Sequence, residues 1–246
     1  MRYAIISDVH SNLEAFNAVL EKIDCLGIRD IICLGDIVGY NADPNECVDT
    51  VMSRNIKCVM GNHDSRAVGL EEPDNFTDIA KEAIYWTRRQ LGQESLLFLK
   101  NLPRKITFDN SRVAAVHGFI NNTDRYIMTL NDAYENFKLM KIKYGHAAVC
   151  FFGHTHRPIT FKYINDNVTE SFDTETRLEG KYLYLINPGA VGQPRDGIPM
   201  ASFLLYDAEE RQIRFFRVKY DIIKTAHKVL NAGLPAALAE RLKIGY

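Results

Sequence analysis

Apolar positions follow two alternating rhythms through the first quarter of this chain. Short runs rich in Ile and Val, "YAIIS" (3–7), "DIICLG" (30–35) and "IKCVMG" (56–61), read as strands. Between them, "NLEAFNAVLEKIDCLG" (12–27) repeats Leu13, Phe16, Leu20 and Ile23 at three- and four-residue steps, and "DPNECVDTVMSRN" (43–55) opens with Asp43 as a cap and Pro44 at the first helical position. This β-α-β-α-β series predicts a mostly parallel sheet with strands buried on both faces. Residues 74–100 break the rhythm and read as a helical insertion over one edge of the sheet, its Phe76, Tyr85 and Trp86 packing the inserted helices. From residue 104 onward strands dominate, at 104–109, 112–118, 147–153, 159–164, 182–189, 201–207 and 213–218, with polar turn residues marking the last two as a hairpin. Helices at 221–231 and 235–243 follow, and residues 1–246 read as a single domain of the α/β class.

Composition narrows the classes of partner. With 30 Lys+Arg against 31 Asp+Glu, dispersed along the chain, nothing marks an electrostatic footprint for nucleic acid or for an anionic membrane, and stable binding to either is not expected. The five cysteines, Cys25, Cys33, Cys47, Cys58 and Cys150, are odd in number, lack metal-type spacing and mostly sit in apolar runs, so they read as buried thiols of a reducing compartment. No apolar run reaches the length of about 18 residues that a membrane helix needs, and the expected location is cytoplasmic.

The ends of the strands change the picture. Asp8 and His10 follow the first, Asp36 the second, Asn62, His63 and Asp64 the third, His117 follows "AAV", and His154 and His156 follow "FFG". In a largely parallel sheet such ends gather along one rim, the usual site of a ligand crevice. Imidazoles mixed with carboxylates and an amide oxygen suit Mn, Fe, Zn or Ni. Seven candidate ligands exceed the three or four of one open site, which points to two divalent transition-metal ions sharing a carboxylate.

In order, "DVH", "GDIVG", "GNHD", "HG" (117–118) and "GHTH" resemble the full motif set of the calcineurin-like metallophosphoesterases, over essentially the whole chain. "INPGAVGQPRDG" (186–197) is similar to a segment of a small prokaryotic phosphoesterase subgroup, where NPG follows a late strand near the site. The resemblance implies mixed α and β sheets in a four-layer αββα sandwich with a dinuclear metal centre. It assigns Asp8, His10 and His156 to the first metal, Asn62, His117 and His154 to the second, and Asp36 to the bridge. His63 matches the catalytic histidine, which faces the phosphate together with Asn62, and Asp64 is expected to orient it. Arg195 reads either as a phosphate ligand or as a turn residue on the surface.

The implied activity is hydrolysis of a phosphate monoester or diester on a small substrate, by attack of a hydroxide held between the ions while His63 assists the leaving group. Phosphoprotein phosphatases and dinucleoside polyphosphate hydrolases are the first alternative, but those relatives carry "GDxVDRG" and "GNHE" where this chain has "GDIVGY" and "GNHD". A non-catalytic interaction protein on the same fold is the second; such relatives lose ligands that are all present here. Oligomeric state is left open by the sequence.

Overall fold

The computed structural model describes residues 1–246. Its strands are β1 (Arg2–Ile6), β2 (Asp30–Cys33), β3 (Lys57–Cys58), β4 (Lys105–Phe108), β5 (Val113–Val116), β6 (Val149–Phe151), β7 (Ile159–Ile164), β8 (Asn167–Ser171), β9 (Glu175–Arg177), β10 (Leu183–Asn187), β11 (Ala201–Asp207) and β12 (Gln212–Val218). The helices are α1 (Leu13–Cys25), α2 (Pro44–Ser53), α3 (Asn62–Ala67), α4 (Asp78–Gln90), α5 (Gln93–Lys100), α6 (Leu130–Lys143), α7 (Ile222–Asn231) and α8 (Ala236–Ile244).

The strands form two six-stranded sheets, ordered β3-β2-β1-β11-β12-β9 and β4-β5-β6-β10-β7-β8. Side chains alternate along each central strand, and the alternation defines the layers. Tyr3 and Ile5 of β1, Val113 and Ala115 of β5, and Val149 and Phe151 of β6 meet in a core between the sheets. Ala4 and Ile6 of β1 face outward onto Phe16, Val19 and Ile23 of α1 and Val48 and Val51 of α2. Ala114 and Val116 of β5 and Cys150 of β6 face outward onto Ala133, Phe137 and Met140 of α6. The result is the four-layer αββα sandwich. Fully burying a side chain such as Phe137 contributes about 1.5–3 kcal/mol, so each layer is held by many such contacts.

Parallel pairing occupies one end of the first sheet and the middle of the second. β1 pairs parallel with β2, Tyr3 opposite Asp30 and Ile6 opposite Cys33, and β2 with β3; β6 pairs parallel with β5 and with β10. The remaining pairs are antiparallel, including the β11–β12 hairpin. The sheets are therefore mixed, because the later strands return through hairpins rather than helical crossovers.

Several expectations need correction. Helix α6 lies in a stretch that reads as strand-dominated, and β8 and β9 are additional strands. The stretch 74–100 is two helices parted at Gly92, and α3 precedes them. Cys25 is exposed, while the other four thiols are buried. Asp43 stands at the N-cap of α2 without a capping bond; its carboxylate takes Lys228 Nζ at 2.9 and 3.0 Å instead. No helix is long and apolar enough to cross a membrane.

Candidate metal centre

The carboxyl ends of β1, β2 and β3 in one sheet meet those of β5 and β6 in the other, and the loops there carry six of the candidate ligands while the first residue of α3 supplies the seventh, Asn62. Asp8, His10, Asp36, Asn62, His117, His154 and His156 are each at most 5% exposed. Five of them, Asp8 (φ 56°), His10 (49°), Asp36 (53°), His154 (68°) and His156 (58°), have left-handed backbone. Asp and His tolerate that region better than most residues, yet each such position costs of order 1–3 kcal/mol. The surrounding fold holds the chain in a shape that turns these side chains inward.

Asp8 and Asp36 divide their oxygens between structure and site. Asp8 Oδ2 accepts the His154 N–H at 3.1 Å and Asp36 Oδ1 accepts the His63 N–H at 2.8 Å. Asp8 Oδ1 and Asp36 Oδ2 have no hydrogen-bond partner. Three imidazoles are fixed from behind in the same way: Nδ1 of His10, His117 and His156 donates to the carbonyls of Val38 (3.2 Å), Leu34 (2.8 Å) and Gln193 (2.6 Å). A neutral ring that donates through Nδ1 carries a lone pair on Nε2. His154 is reversed, donating through Nε2 to the Asp124 carbonyl at 3.1 Å, which leaves its Nδ1 lone pair free.

These lone pairs point at one another. His10 Nε2 lies 3.2 Å from His156 Nε2, and His156 Nε2 lies 3.3 Å from Asp8 Oδ1. His117 Nε2 lies 3.3 Å from Asp36 Oδ2 and 3.0 Å from Asn62 Oδ1, and His10 Nε2 lies 3.6 Å from Asp36 Oδ2. Buried acceptors facing acceptors repel unless a cation or a proton stands between them. With protons alone the tension is visible: burial works against charge on His117, yet Asp36 outweighs it and pushes its pKa up to about 10. Burial alone would raise the pKa of Asp36, but His117, His63 and His10 hold its carboxyl well below the usual range. Donor atoms of Asp8, His10 and His156 lie within 4.8 Å of one another, as do those of Asp36, His117 and His154. The chemistry of the residues present thus fits the binding of metal cations.

His63 is also packed against this cluster, with ring centroids 4.8 Å from His10, 4.4 Å from Tyr40 and 4.7 Å from Phe76. Its Nδ1 has no partner, and burial lowers its pKa to about 4 despite the favourable charge of Asp36. Asp64 does not orient it. The Asp64 carboxyl accepts four backbone N–H groups, from Asp36 (2.8 Å), Ile37 (2.8 Å), Val38 (3.2 Å) and Gly61 (2.9 Å), and so shapes the loop that presents Asp36. A side chain at Gly61 would collide with Asp36 Oδ1 and the Asp36 nitrogen, which is why this turn carries no Cβ.

A cavity of about 300 Å³ opens over the cluster, lined by Asp36, Asn62, His63, His154 and His156 with Tyr40, Phe76, Tyr126 and Arg195. Arg195 is therefore a wall of the site rather than a surface turn residue; its guanidinium reaches Gln193 Oε1 at 3.0 Å and the Tyr40 hydroxyl at 3.3 Å. Phe76 joins the site, whereas Trp86 donates to the Ala232 carbonyl and packs among α4, α7 and α8. Sequence reasoning misses Tyr126, stacked on His154 at 4.1 Å, and Arg66, which bonds the Asn62 carbonyl at 3.2 Å and Asp124 at 2.8 Å. It also misses Asn187, whose amide bonds the Gly153 carbonyl and Thr155 Oγ1 inside the segment bearing His154 and His156. The NPG in "INPGAVGQPRDG" was a signal for Asn187; nothing local distinguishes the others.

Comparison with known proteins agrees with this fold. The family model of the calcineurin-like phosphoesterase superfamily domain matches residues 1–211. The uncharacterised protein MJ0912 of Methanocaldococcus jannaschii is 39% identical over 246 residues, covering 98% of this chain and 97% of its own. The crystal structure of a metallophosphoesterase from Sphaerobacter thermophilus is 38% identical with a TM-score of 0.84, covering 100% of this chain and 99% of that one. The structure of PH1004 from Pyrococcus horikoshii shares the fold at 20% identity, with a TM-score of 0.80 over 100% of this chain and 98% of that one. A family match over residues 1–211 and a 39% identical relative spanning nearly the whole length make this chain a member of the calcineurin-like phosphoesterase superfamily.

Proposed function

We propose that the protein hydrolyses a phosphate monoester or diester on a small substrate, using two divalent transition-metal ions of the Mn, Fe, Zn or Ni group. Asp8, His10 and His156 would hold one ion, Asn62, His117 and His154 the other, and Asp36 would bridge them. The observation that carries this reading is the set of buried, unpartnered lone pairs converging on Asp36 Oδ2 and Asp8 Oδ1. A non-catalytic scaffold would have no use for them. When bound, the ions supply the Lewis acidity that acidifies an attacking water and offsets charge on the phosphoryl oxygens.

The chain's own side chains do the rest. Arg195 binds a phosphoryl oxygen through its planar fork of donors. Tyr40, Phe76 and Tyr126 wall off bulk water around the phosphate. His63, whose pKa burial lowers to about 4, is neutral at pH 7. A phosphate anion beside it adds negative charge, which raises its affinity for a proton. The ring then hydrogen-bonds the leaving oxygen and passes it that proton as the P–O bond breaks.

Purified protein supplied with Mn²⁺, Fe²⁺, Zn²⁺ or Ni²⁺ should release nitrophenolate from aryl phosphate or bis-aryl phosphate reporters. His63→Ala should keep its metal content and lose about 10²–10⁴-fold in rate, the usual worth of general acid catalysis. Absence of release under every metal would remove the reading.

A further inference from the structure

Next to the catalytic cavity lies a larger one of about 770 Å³, lined by Arg157, Phe172, Arg195, Ile198, Phe215 and Arg217 among others. The two share Arg195 as a common wall, and the consecutive residues His156 and Arg157 face one cavity each. Phe172 is 70% exposed and Ile198 43%, an apolar surface beside the catalytic cavity, with Tyr246 also in its wall. Its cations differ in state. Arg217 is paired with Asp196, whereas Arg157 spends only its Nε, on the Arg195 carbonyl at 2.9 Å, and its outer nitrogens have no partner in the chain. The volume falls within the range of small-molecule sites, about 300–1,000 Å³.

We infer that this second cavity binds one ester arm of a phosphodiester substrate, a planar and largely apolar group such as a nucleoside. The inference rests on the phosphoesterase reading above. Phe172 and Phe215 offer the ring surfaces, and the Arg157 guanidinium can stack on the arm or meet an oxygen at its edge. His63 and Phe76 line only the catalytic cavity, so the arm beyond Arg195 is the one that stays esterified. Water adds to phosphorus, the bond from phosphorus to the other arm's oxygen breaks, that oxygen takes the proton from His63, and the proton released by the added water restores the one His63 has given. The products are an alcohol and a phosphomonoester still seated in the second cavity.

The test compares thymidine 5′-nitrophenyl phosphate with methyl nitrophenyl phosphate, and measures binding of the fluorescent 1,N⁶-ethenoadenosine 5′-monophosphate by anisotropy. The nucleoside ester should be preferred in kcat/KM by about tenfold or more, as one aromatic stack allows. Phe172→Ala and Phe215→Ala should erase that preference and weaken nucleotide binding about fivefold or more, leaving the methyl ester rate unchanged. Phe172 is exposed, so its variant folds whatever happens at Phe215. Turnover of both esters at rates indifferent to arm and variant overturns the subsite and leaves the phosphoesterase standing. Nucleotide binding weakened by both variants, with neither ester turned over, leaves the subsite and overturns the phosphoesterase. A Phe172→Ala protein whose only change is loss of a dimer in light scattering makes this face a contact between copies and overturns the subsite.

Discussion

At the scale of single residues, the site depends on carboxylates that each do two jobs. Asp36 fixes the His63 backbone with one oxygen and faces His10 and His117 with the other, so Asp36→Ala should empty both metal positions and abolish activity. Elemental analysis of the variant checks this, and two retained ions with full turnover would refute the bridging role. Asp64→Asn replaces one acceptor oxygen by an NH₂ group facing N–H donors; the mismatch should cost about 1–3 kcal/mol in urea unfolding and lower activity through the Asp36 loop. The donors were legible because each directly follows an apolar run, where strand geometry puts it on the rim. Arg66, Asp124 and Tyr126 were not, since their partners are fixed only once α3 packs against the loop after β5.

Elements were legible where one rhythm ran uninterrupted. The prediction of α1 and α2 rests on periodicity and a cap, and both form within a few residues of the expected ends. The α6 segment carries its own signal, Thr129 and Asp132 in a capping box with Ala133, Phe137 and Met140 on one face, but loop residues before it and strands on either side obscure it. Between elements, Glu14 of α1, its side chain 7% exposed, meets Lys224 at 3.1 Å and Lys228 at 2.7 Å on α7. Burial favours the neutral acid, yet the two lysines outweigh it and hold the carboxyl below the usual glutamate range. Its stabilising contribution is therefore complete above the ordinary glutamate pKa of about 4.3 and fades as pH falls through the lower folded value. Glu14→Gln should cost about 1–2 kcal/mol at pH 7, and urea titrations of the two proteins should converge in strong acid.

For the molecule as a whole, the first sheet supplies Asp8, His10, Asp36 and Asn62, and the second supplies His117, His154 and His156. Metal would therefore bridge the two halves of the sandwich and bind only the folded state. At a hundredfold excess over the dissociation constant it should stabilise by about 2.7 kcal/mol. That corresponds to a Tm rise of roughly 5–10 °C for a chain of this size. Thermal scans with Mn²⁺ and with chelator measure it, and Asp36→Ala should show no difference between them. The α/β class followed from the alternation of strand and helix patterns and the four layers from the family resemblance, whereas the antiparallel direction of the later strands did not, because a short apolar run looks alike in either direction. The split of donors between sheets also sets an order in time. His154 and His156 leave the ribosome long after Asp8 and Asp36, so the full set of candidate donors comes together only when both sheets have been made and have met. On the proposed reading, metal loading would then be among the last events of maturation, and a loaded molecule would be one whose assembly has already been checked.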